Sequence, residues 1–153
     1  MSHSFTMRIV LASSVALFAL GACTTLQPTA HLAAFSTQLS GMNQVPPLPT
    51  SVTSATGRVD AVLDKNTRVL RWKLSFRGLS GAATAGHFHG PAAIGANAGV
   101  ALPFKGAVTS PMDGQATLTP AQAADLLAGK WYANIHTLAF PGGEIRGQMI
   151  LRE

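Results

Sequence analysis

The sequence predicts an all-β fold, a sandwich or barrel of about eight short strands with one short helix. Several short segments alternate between apolar and polar residues, which is the period of a strand with one buried face. The composition is 47% hydrophobic and 11% charged, with 15 Gly and 9 Pro in 153 residues. These proportions favour many strands joined by turns over a helical bundle or a disordered chain.

Four strands are predicted in the first half of the domain. They cover residues 34–39, 55–63, 69–76 and 84–89. The third has the clearest alternation, because apolar residues from Leu70 to Phe76 alternate with Arg71, Lys73 and Ser75. With a turn at residues 64–66, the second and third strands form a hairpin. Prolines exclude residues 43–49 from a central strand, since proline donates no ladder hydrogen bond.

Four more strands and a helix are predicted in the second half. The strands cover residues 100–104, 115–118, 130–137 and 144–151, with loops at 95–99 and 141–143. A capping box predicts a helix over residues 120–128, with Thr119 as N-cap, Pro120 at the first helical position and Gln122 at the third. Of the neighbouring rings Trp131 and Tyr132, one is expected in the core and the other at its rim.

The N-terminus has the pattern of a lipoprotein signal peptide. Arg8 precedes an apolar run of 12 residues, too short to cross a bilayer comfortably. The run ends in Leu-Gly-Ala-Cys at residues 20–23, which resembles the lipobox of bacterial lipoproteins. We expect a signal peptide at residues 1–22, a lipidated tether at 23–32 with lipid on Cys23, and one domain at 33–153. The alternative is ordinary secretion with a free thiol.

These features predict an exported protein of the cell envelope. Cys23 is the single cysteine, so no internal disulfide can form, and acylation would remove an exposed thiol. Thr24 is not the aspartate that resembles an inner-membrane retention signal, which favours the outer membrane, facing the periplasm. The expected partners are the membrane, through the lipid, and an unknown envelope protein or polymer. The basic residues are scattered between apolar ones, so no nucleic-acid partner is expected.

Three histidines form a candidate metal site. His87 and His89 are two residues apart on a predicted strand, so both imidazoles point to one face. His136 is the third histidine of the domain and lies on another predicted strand. Three neutral imidazoles suit copper or zinc, and copper binds more tightly in the divalent series. The alternative is that each histidine braces a turn through a ring N–H bonded to a backbone carbonyl.

The acidic residues favour a protein without catalysis. The chain has six, with no close pair suited to acid–base work and no nucleophile–base signature. Glu144 is expected to form a salt bridge with Arg146, two residues further along the same strand. No catalytic residue is assigned from these patterns, and an enzyme is not favoured.

Four blocks of sequence strongly resemble the CHRD domain, named after chordin and common in exported bacterial proteins. They are residues 38–41 with 43–47, Gly-His-Phe-His-Gly-Pro-Ala at 86–92, residues 129–137, and Pro-Gly-Gly-Glu-Ile-Arg-Gly-Gln at 141–148. The resemblance extends from about residue 34 to residue 151. It implies a β-sandwich of immunoglobulin-like or Greek-key type and does not by itself define a function. Together with the expected lipid anchor and the absence of catalytic carboxylates, it favours a non-catalytic binding module.

A second and weaker resemblance is to copper–zinc superoxide dismutase, also a Greek-key sandwich. The shared order is a histidine pair, a later histidine, a glycine-rich turn and an arginine. It implies that His87, His89 and His136 hold copper and that Arg146 attracts an anion, as in a copper-only superoxide dismutase-like oxidoreductase. The chain has no fourth, bridging histidine and no second cysteine for a disulfide.

Overall fold

The computed structural model describes residues 31–152 together with Met1. The predicted signal peptide, Cys23 and the tether up to residue 30 lie outside the described residues. The all-β prediction is confirmed, with nine strands and one α-helix in the described part of the chain. The elements are β1 Leu32–Ser40, β2 Thr56–Asp64, β3 Val69–Arg77, β4 Ala83–His89, β5 Val100–Pro103, β6 Met112–Thr117, α1 Pro120–Leu127, β7 Tyr132–Thr137, β8 Ile145–Gln148 and β9 Ile150–Arg152. A single 3₁₀ turn, Gly41–Asn43, follows β1.

The strands form a curled antiparallel ladder in the order β5-β4-β7-β8-β1-β2-β3-β6, and β9 also pairs with β1. The ladder has two parts, which we call the β4–β7 half (β5, β4, β7 and β8) and the β2–β3 half (β1, β2, β3, β6 and β9). They join at β8 and β1, where Ser40 pairs with Arg146. This seam is narrow, whereas β1 and β2 pair along their whole length.

The two halves enclose one hydrophobic core. Trp72 of β3 packs edge-on against Phe88 of β4, with ring centroids 5.4 Å apart. Phe104 lies 5.0 Å from Phe88 and 5.5 Å from Trp72, so the aromatic cluster bridges the halves. Leu70 and Leu74 are buried on β3, while Arg71, Lys73 and Ser75 are exposed, as the alternation predicts. The arrangement is therefore that of a sandwich closed along one edge.

The predicted helix is present within one residue of its expected end. Thr119 Oγ1 accepts from the Gln122 N–H, and Gln122 Oε1 accepts from the Thr119 N–H, so the capping box is confirmed. Leu126 is fully buried against the core. Gly129 follows with φ of +68°, a backbone conformation that favours glycine and ends the helix. No helix in the described part of the chain has the length and hydrophobicity needed to cross a bilayer.

The last predicted strand, residues 144–151, is divided into two. β8 pairs with β7, whereas β9 pairs with β1, so the chain passes from one half to the other. Met149 lies at the crossing, is fully buried and donates its N–H to the Trp131 carbonyl. Apolar–polar alternation cannot reveal such a change of partner. This division accounts for nine strands where about eight were expected.

Candidate metal centre

The three histidines of the predicted site lie on one face of two adjacent strands. In the antiparallel β4–β7 ladder, His87 pairs with Asn134, His89 with Tyr132, and Ala85 with His136. All of these side chains point away from the core, while Phe88, between the two β4 histidines, is fully buried in it. The period of the strand thus places two histidines together, and the register adds the third.

The ring nitrogens are close enough to share one ion. One ligand nitrogen from each histidine lies within 4.8 Å of the other two. Two nitrogens bound to one ion at 2.0–2.1 Å are at most about 4.2 Å apart, so the widest separation needs to shorten by no more than about 0.6 Å. His87 Nδ1 and His136 Nε2 are 3.2 Å apart, which already suits two ligands of a single ion. Small rotations of the histidine side chains would bring all three nitrogens to bonding distance of one ion.

Hydrogen bonds to backbone carbonyls orient two of the three rings. His89 Nδ1–H donates to Ala98 O at 3.0 Å, and His136 Nδ1–H donates to Pro141 O at 2.9 Å. A carbonyl only accepts, so in each neutral ring the proton is on Nδ1 and the lone pair is on Nε2. His89 Nε2 is buried and has no hydrogen-bond partner among the described residues. The bracing role considered for these histidines is therefore real. It leaves His89 Nε2 without a partner, whereas His136 Nε2 accepts a hydrogen bond from His87 Nδ1–H at 3.2 Å, and an ion would take the place of this proton.

Burial favours the uncharged form of His87 and His89. His89 and His136 are each 9% exposed, while His87 is half-buried and gives access from solvent. Burial, then the neighbouring His136 and His89, lowers the pKa of His87 from its ordinary value of 6.5. Burial also lowers the pKa of His89, and the hydrogen bond with Ala98 opposes this only in part. At neutral pH both rings are therefore in the form that binds metals.

Arg146 does not contact Glu144, so the predicted salt bridge is wrong. Arg146 is 3% exposed, and its terminal nitrogens donate to Asn97 Oδ1 at 2.7 Å and Ala96 O at 2.6 Å. Its guanidinium carbon lies 3.5 Å from the centroid of the Tyr132 ring. The anion-attracting role implied by the dismutase resemblance stays a prediction. The observed contacts of Arg146 stabilise the loop at Ala96 and Asn97 and the Tyr132 ring.

The sequence model of the CHRD domain family matches residues 35–149. The chain belongs to the CHRD domain family. The matched range contains all three histidines and Arg146, so the candidate metal centre is part of the CHRD domain. A search of curated proteins found no match, and a search of solved structures found none either.

Glu144 of the CHRD domain is a buried carboxylate with a hydrogen-bond network that the sequence did not predict. Its side chain is fully buried and accepts hydrogen bonds from Thr53 Oγ1 at 2.8 Å, Thr137 Oγ1 at 2.7 Å, and both Ser80 Oγ and Ser80 N–H, at 2.7 and 2.9 Å. Burial opposes ionisation, but these hydrogen bonds outweigh it and lower the pKa of Glu144. The carboxylate therefore ties two loops to the end of β7, one residue beyond His136.

The CHRD domain also has a large groove, which is separate from the histidines. Its volume is about 950 Å³, and it lies on the outer surface of the β2–β3 half. Ala34, Val62 and Gly114 line it, with Arg71 and Arg152 among its charged residues. No histidine lines this groove, so it has no part in the candidate metal centre.

Proposed function

We propose that this CHRD-domain protein is a lipid-anchored binding module of the cell envelope that holds one copper ion through His87, His89 and His136. The observation that carries the proposal is the convergence of three imidazoles, with one ligand nitrogen from each within 4.8 Å of the other two. Two of them have Nδ1 engaged by a carbonyl and Nε2 directed into the cluster. Family membership supports the coarser statement that the domain is a binding module.

Copper is the metal that this ligand set favours. All three ligands are imidazoles, and no carboxylate or thiolate of the described residues belongs to the cluster. Imidazole binds copper and zinc well, and Cu²⁺ binds more tightly than the other divalent first-row ions. Calcium and magnesium prefer oxygen ligands, which the cluster lacks.

The hydrogen bonds of the Arg146 guanidinium favour copper binding over catalysis. A dismutase-like site needs a positive group that is free to meet the incoming anion. Here both terminal nitrogens of the guanidinium donate to the loop that carries Ala96 and Asn97, and little of the side chain reaches solvent. We therefore propose that the copper is held rather than used in turnover.

The metal site is tested by copper titration of the purified domain. We expect the wild-type protein to bind one Cu²⁺ per chain, and His89→Ala and His136→Ala to lose at least about 100-fold in affinity, since even outer contacts of a metal site are worth about 10–100-fold. His31→Ala is the matched control, because His31 lies outside the cluster, and its affinity should equal that of the wild type. Competition with a chelator gives the dissociation constants, and electron paramagnetic resonance reports nitrogen ligation.

Two results would contradict the copper site. One is a wild-type protein that binds no stoichiometric copper. The other is a His89→Ala variant with the same dissociation constant as His31→Ala. Titration with Zn²⁺ under the same conditions compares the metals, and a lower affinity for zinc than for copper is expected.

The lipid anchor is tested by replacing Cys23. We expect the wild-type protein in a bacterial host to fractionate with membranes, because two or more acyl chains give stable anchoring. Cys23→Ser should move to the soluble periplasmic fraction, since the lipid attachment site is absent. Thr24→Ser is the matched control and should remain with membranes. Equal fractionation of wild-type protein and Cys23→Ser would overturn the anchor, and metabolic labelling with a fatty acid provides the direct measurement.

A further inference from the structure

Three flat groups from three adjacent strands are stacked beside the candidate metal centre. The Tyr132 ring of β7 is parallel to the His89 ring of β4, with an interplanar angle of 1° and centroids 4.8 Å apart. The guanidinium of Arg146, on β8, also lies over the Tyr132 ring. Trp131 belongs to the hydrophobic core, whereas Tyr132 lies on the opposite face of β7 and is still only 2% exposed. The Tyr132 ring therefore lies between His89, a ligand of the proposed copper site, and the buried guanidinium of Arg146.

The same two side chains fix the loop at residues 90–99. Tyr132 O–H donates to Ala98 O at 3.2 Å, and the Ala98 N–H donates to the Tyr132 hydroxyl oxygen at 3.1 Å. Arg146 binds the two residues before Ala98. Ala98 O therefore accepts from both Tyr132 and His89. Ala98 O, which keeps the proton of neutral His89 on Nδ1, is thus held in place by Tyr132, whose ring also stacks on the His89 ring.

We infer that Tyr132 and Arg146 are positioning residues that fix the ring orientation and tautomer of His89 so that its Nε2 faces His87 and His136. The stack opposes tilting of the imidazole, and the Ala98 carbonyl holds its proton on Nδ1. A rotation of the ring about its bond to Cβ would break the hydrogen bond and direct a carbon toward the ion. This inference extends the proposed copper site and rests on it for its functional meaning.

Because these contacts already hold the His89 ring in one orientation, we expect the ring to reorganise little when it binds an ion. His89 Nε2 is buried and unpaired among the described residues, and such an atom costs free energy until a partner such as an ion binds it. Loosening the stack would let the imidazole turn toward other partners. Outer contacts that orient a ligand imidazole are typically worth about 10–100-fold in metal affinity.

Two variants of Tyr132 separate the contributions of ring and hydroxyl. Tyr132→Leu removes both the stack and the bonds to Ala98, and we expect copper affinity to fall about 10–100-fold. Tyr132→Phe keeps the stack and the volume, so it should fold and lose only a few-fold in affinity, about the value of the hydroxyl hydrogen bonds. Phe35→Leu is the control, since it removes a buried aromatic ring from β1 in the other half and should leave copper affinity unchanged.

The decisive measurement needs no metal. Long-range ¹H–¹⁵N spectra at fixed pH report which ring nitrogen of His89 carries the proton. We expect the Nδ1–H tautomer alone in the wild type and in Phe35→Leu, and a tautomer mixture in Tyr132→Leu, with a smaller change in Tyr132→Phe. A single Nδ1–H tautomer in both Tyr132 variants overturns the inference. A wild-type protein that binds no copper contradicts the proposed function, whereas the tautomer result decides the positioning role by itself.

Discussion

Replacing Glu144 with alanine is expected to lower the free energy of unfolding by about 3–4 kcal/mol, at the upper end of the range for single substitutions. The carboxylate is fully buried and receives hydrogen bonds from Thr53, Ser80 and Thr137. Alanine would leave the buried hydroxyls of Thr53 and Thr137 without this acceptor, and each unpaired buried donor costs about 1–3 kcal/mol before relaxation. Ser80 is exposed and can bond to water instead. The loops around residues 53 and 80 would also lose their attachment to β7.

Urea denaturation followed by tryptophan fluorescence measures this change. Asp113→Ala removes an exposed carboxylate and is the matched control, with an expected change within about 0.5 kcal/mol. Glu144→Gln keeps one acceptor oxygen and should fall between the two. If Glu144→Ala unfolds at the same urea concentration as Asp113→Ala, the buried carboxylate does not stabilise the fold.

Because the pKa of Glu144 is lowered in the folded protein, this residue should make the free energy of unfolding fall at acidic pH. The ionised carboxylate favours the folded state, so its contribution is fully present above the ordinary carboxyl pKa of 4.5. It is lost as the pH falls from there through the lower pKa of the folded state. Wild-type protein should therefore lose more stability than Glu144→Gln between neutral pH and pH 3. Parallel pH profiles for the two proteins would contradict this assignment.

Replacing Gly147 with alanine is expected to lower the free energy of unfolding by about 2–3 kcal/mol, the upper part of the range of about 1–3 kcal/mol for overpacking a closed interior. A Cβ atom at this position would collide with the Gln38 carbonyl oxygen and with Thr37 Oγ1. Both are on β1, and a backbone carbonyl cannot rotate away as a side chain does. The collision would occur beside the pairing of Ser40 with Arg146, where the two halves of the ladder join. We therefore expect this single methyl group to open the seam.

Gly142→Ala is the matched control for this prediction. No atom lies within 4 Å of a Cβ built on Gly142, and its φ is not in the left-handed region. Its unfolding midpoint should stay within about 0.5 kcal/mol of the wild type. Hydrogen exchange of the β1 and β8 amides gives a second readout, because opening of the seam should raise their exchange rates. Equal stability of Gly142→Ala and Gly147→Ala would show that the seam tolerates a methyl group.

Local patterns predicted most of the elements. Alternation along Leu70 to Phe76 found the central strand, and the capping box at Thr119 found the helix, because each signal depends on residues a few positions apart. The spacing of His87 and His89 likewise predicted a shared face from strand geometry. His136 joined them because β4 and β7 pair, and that register was not visible in either segment alone.

Long-range contacts explain what the sequence did not predict. Glu144 was assigned to Arg146 because they are two residues apart, but its partners are 7, 64 and 91 positions away. No local signal showed that Arg146 and His89 would cover the Tyr132 ring. The crossing at Met149 begins a run of three apolar residues, Met149 to Leu151, and this break in the apolar–polar pattern does not show which strand each part pairs with. Each error comes from tertiary structure that overrides a local preference.

The three imidazoles and the large groove lie on different halves of the sandwich and share no lining residue. Both imidazole-bearing strands are neighbours in the ladder, so the cluster needs nothing from the opposite surface. Substitutions of the outward-facing groove residues can accumulate without disturbing the ligands, and the reverse also holds. Trp72 is the exception, because its ring also packs against Phe88 between the two β4 histidines. Descendants of this scaffold are therefore free to acquire new partners on one surface while the other evolves independently, and an engineer could redesign either one alone.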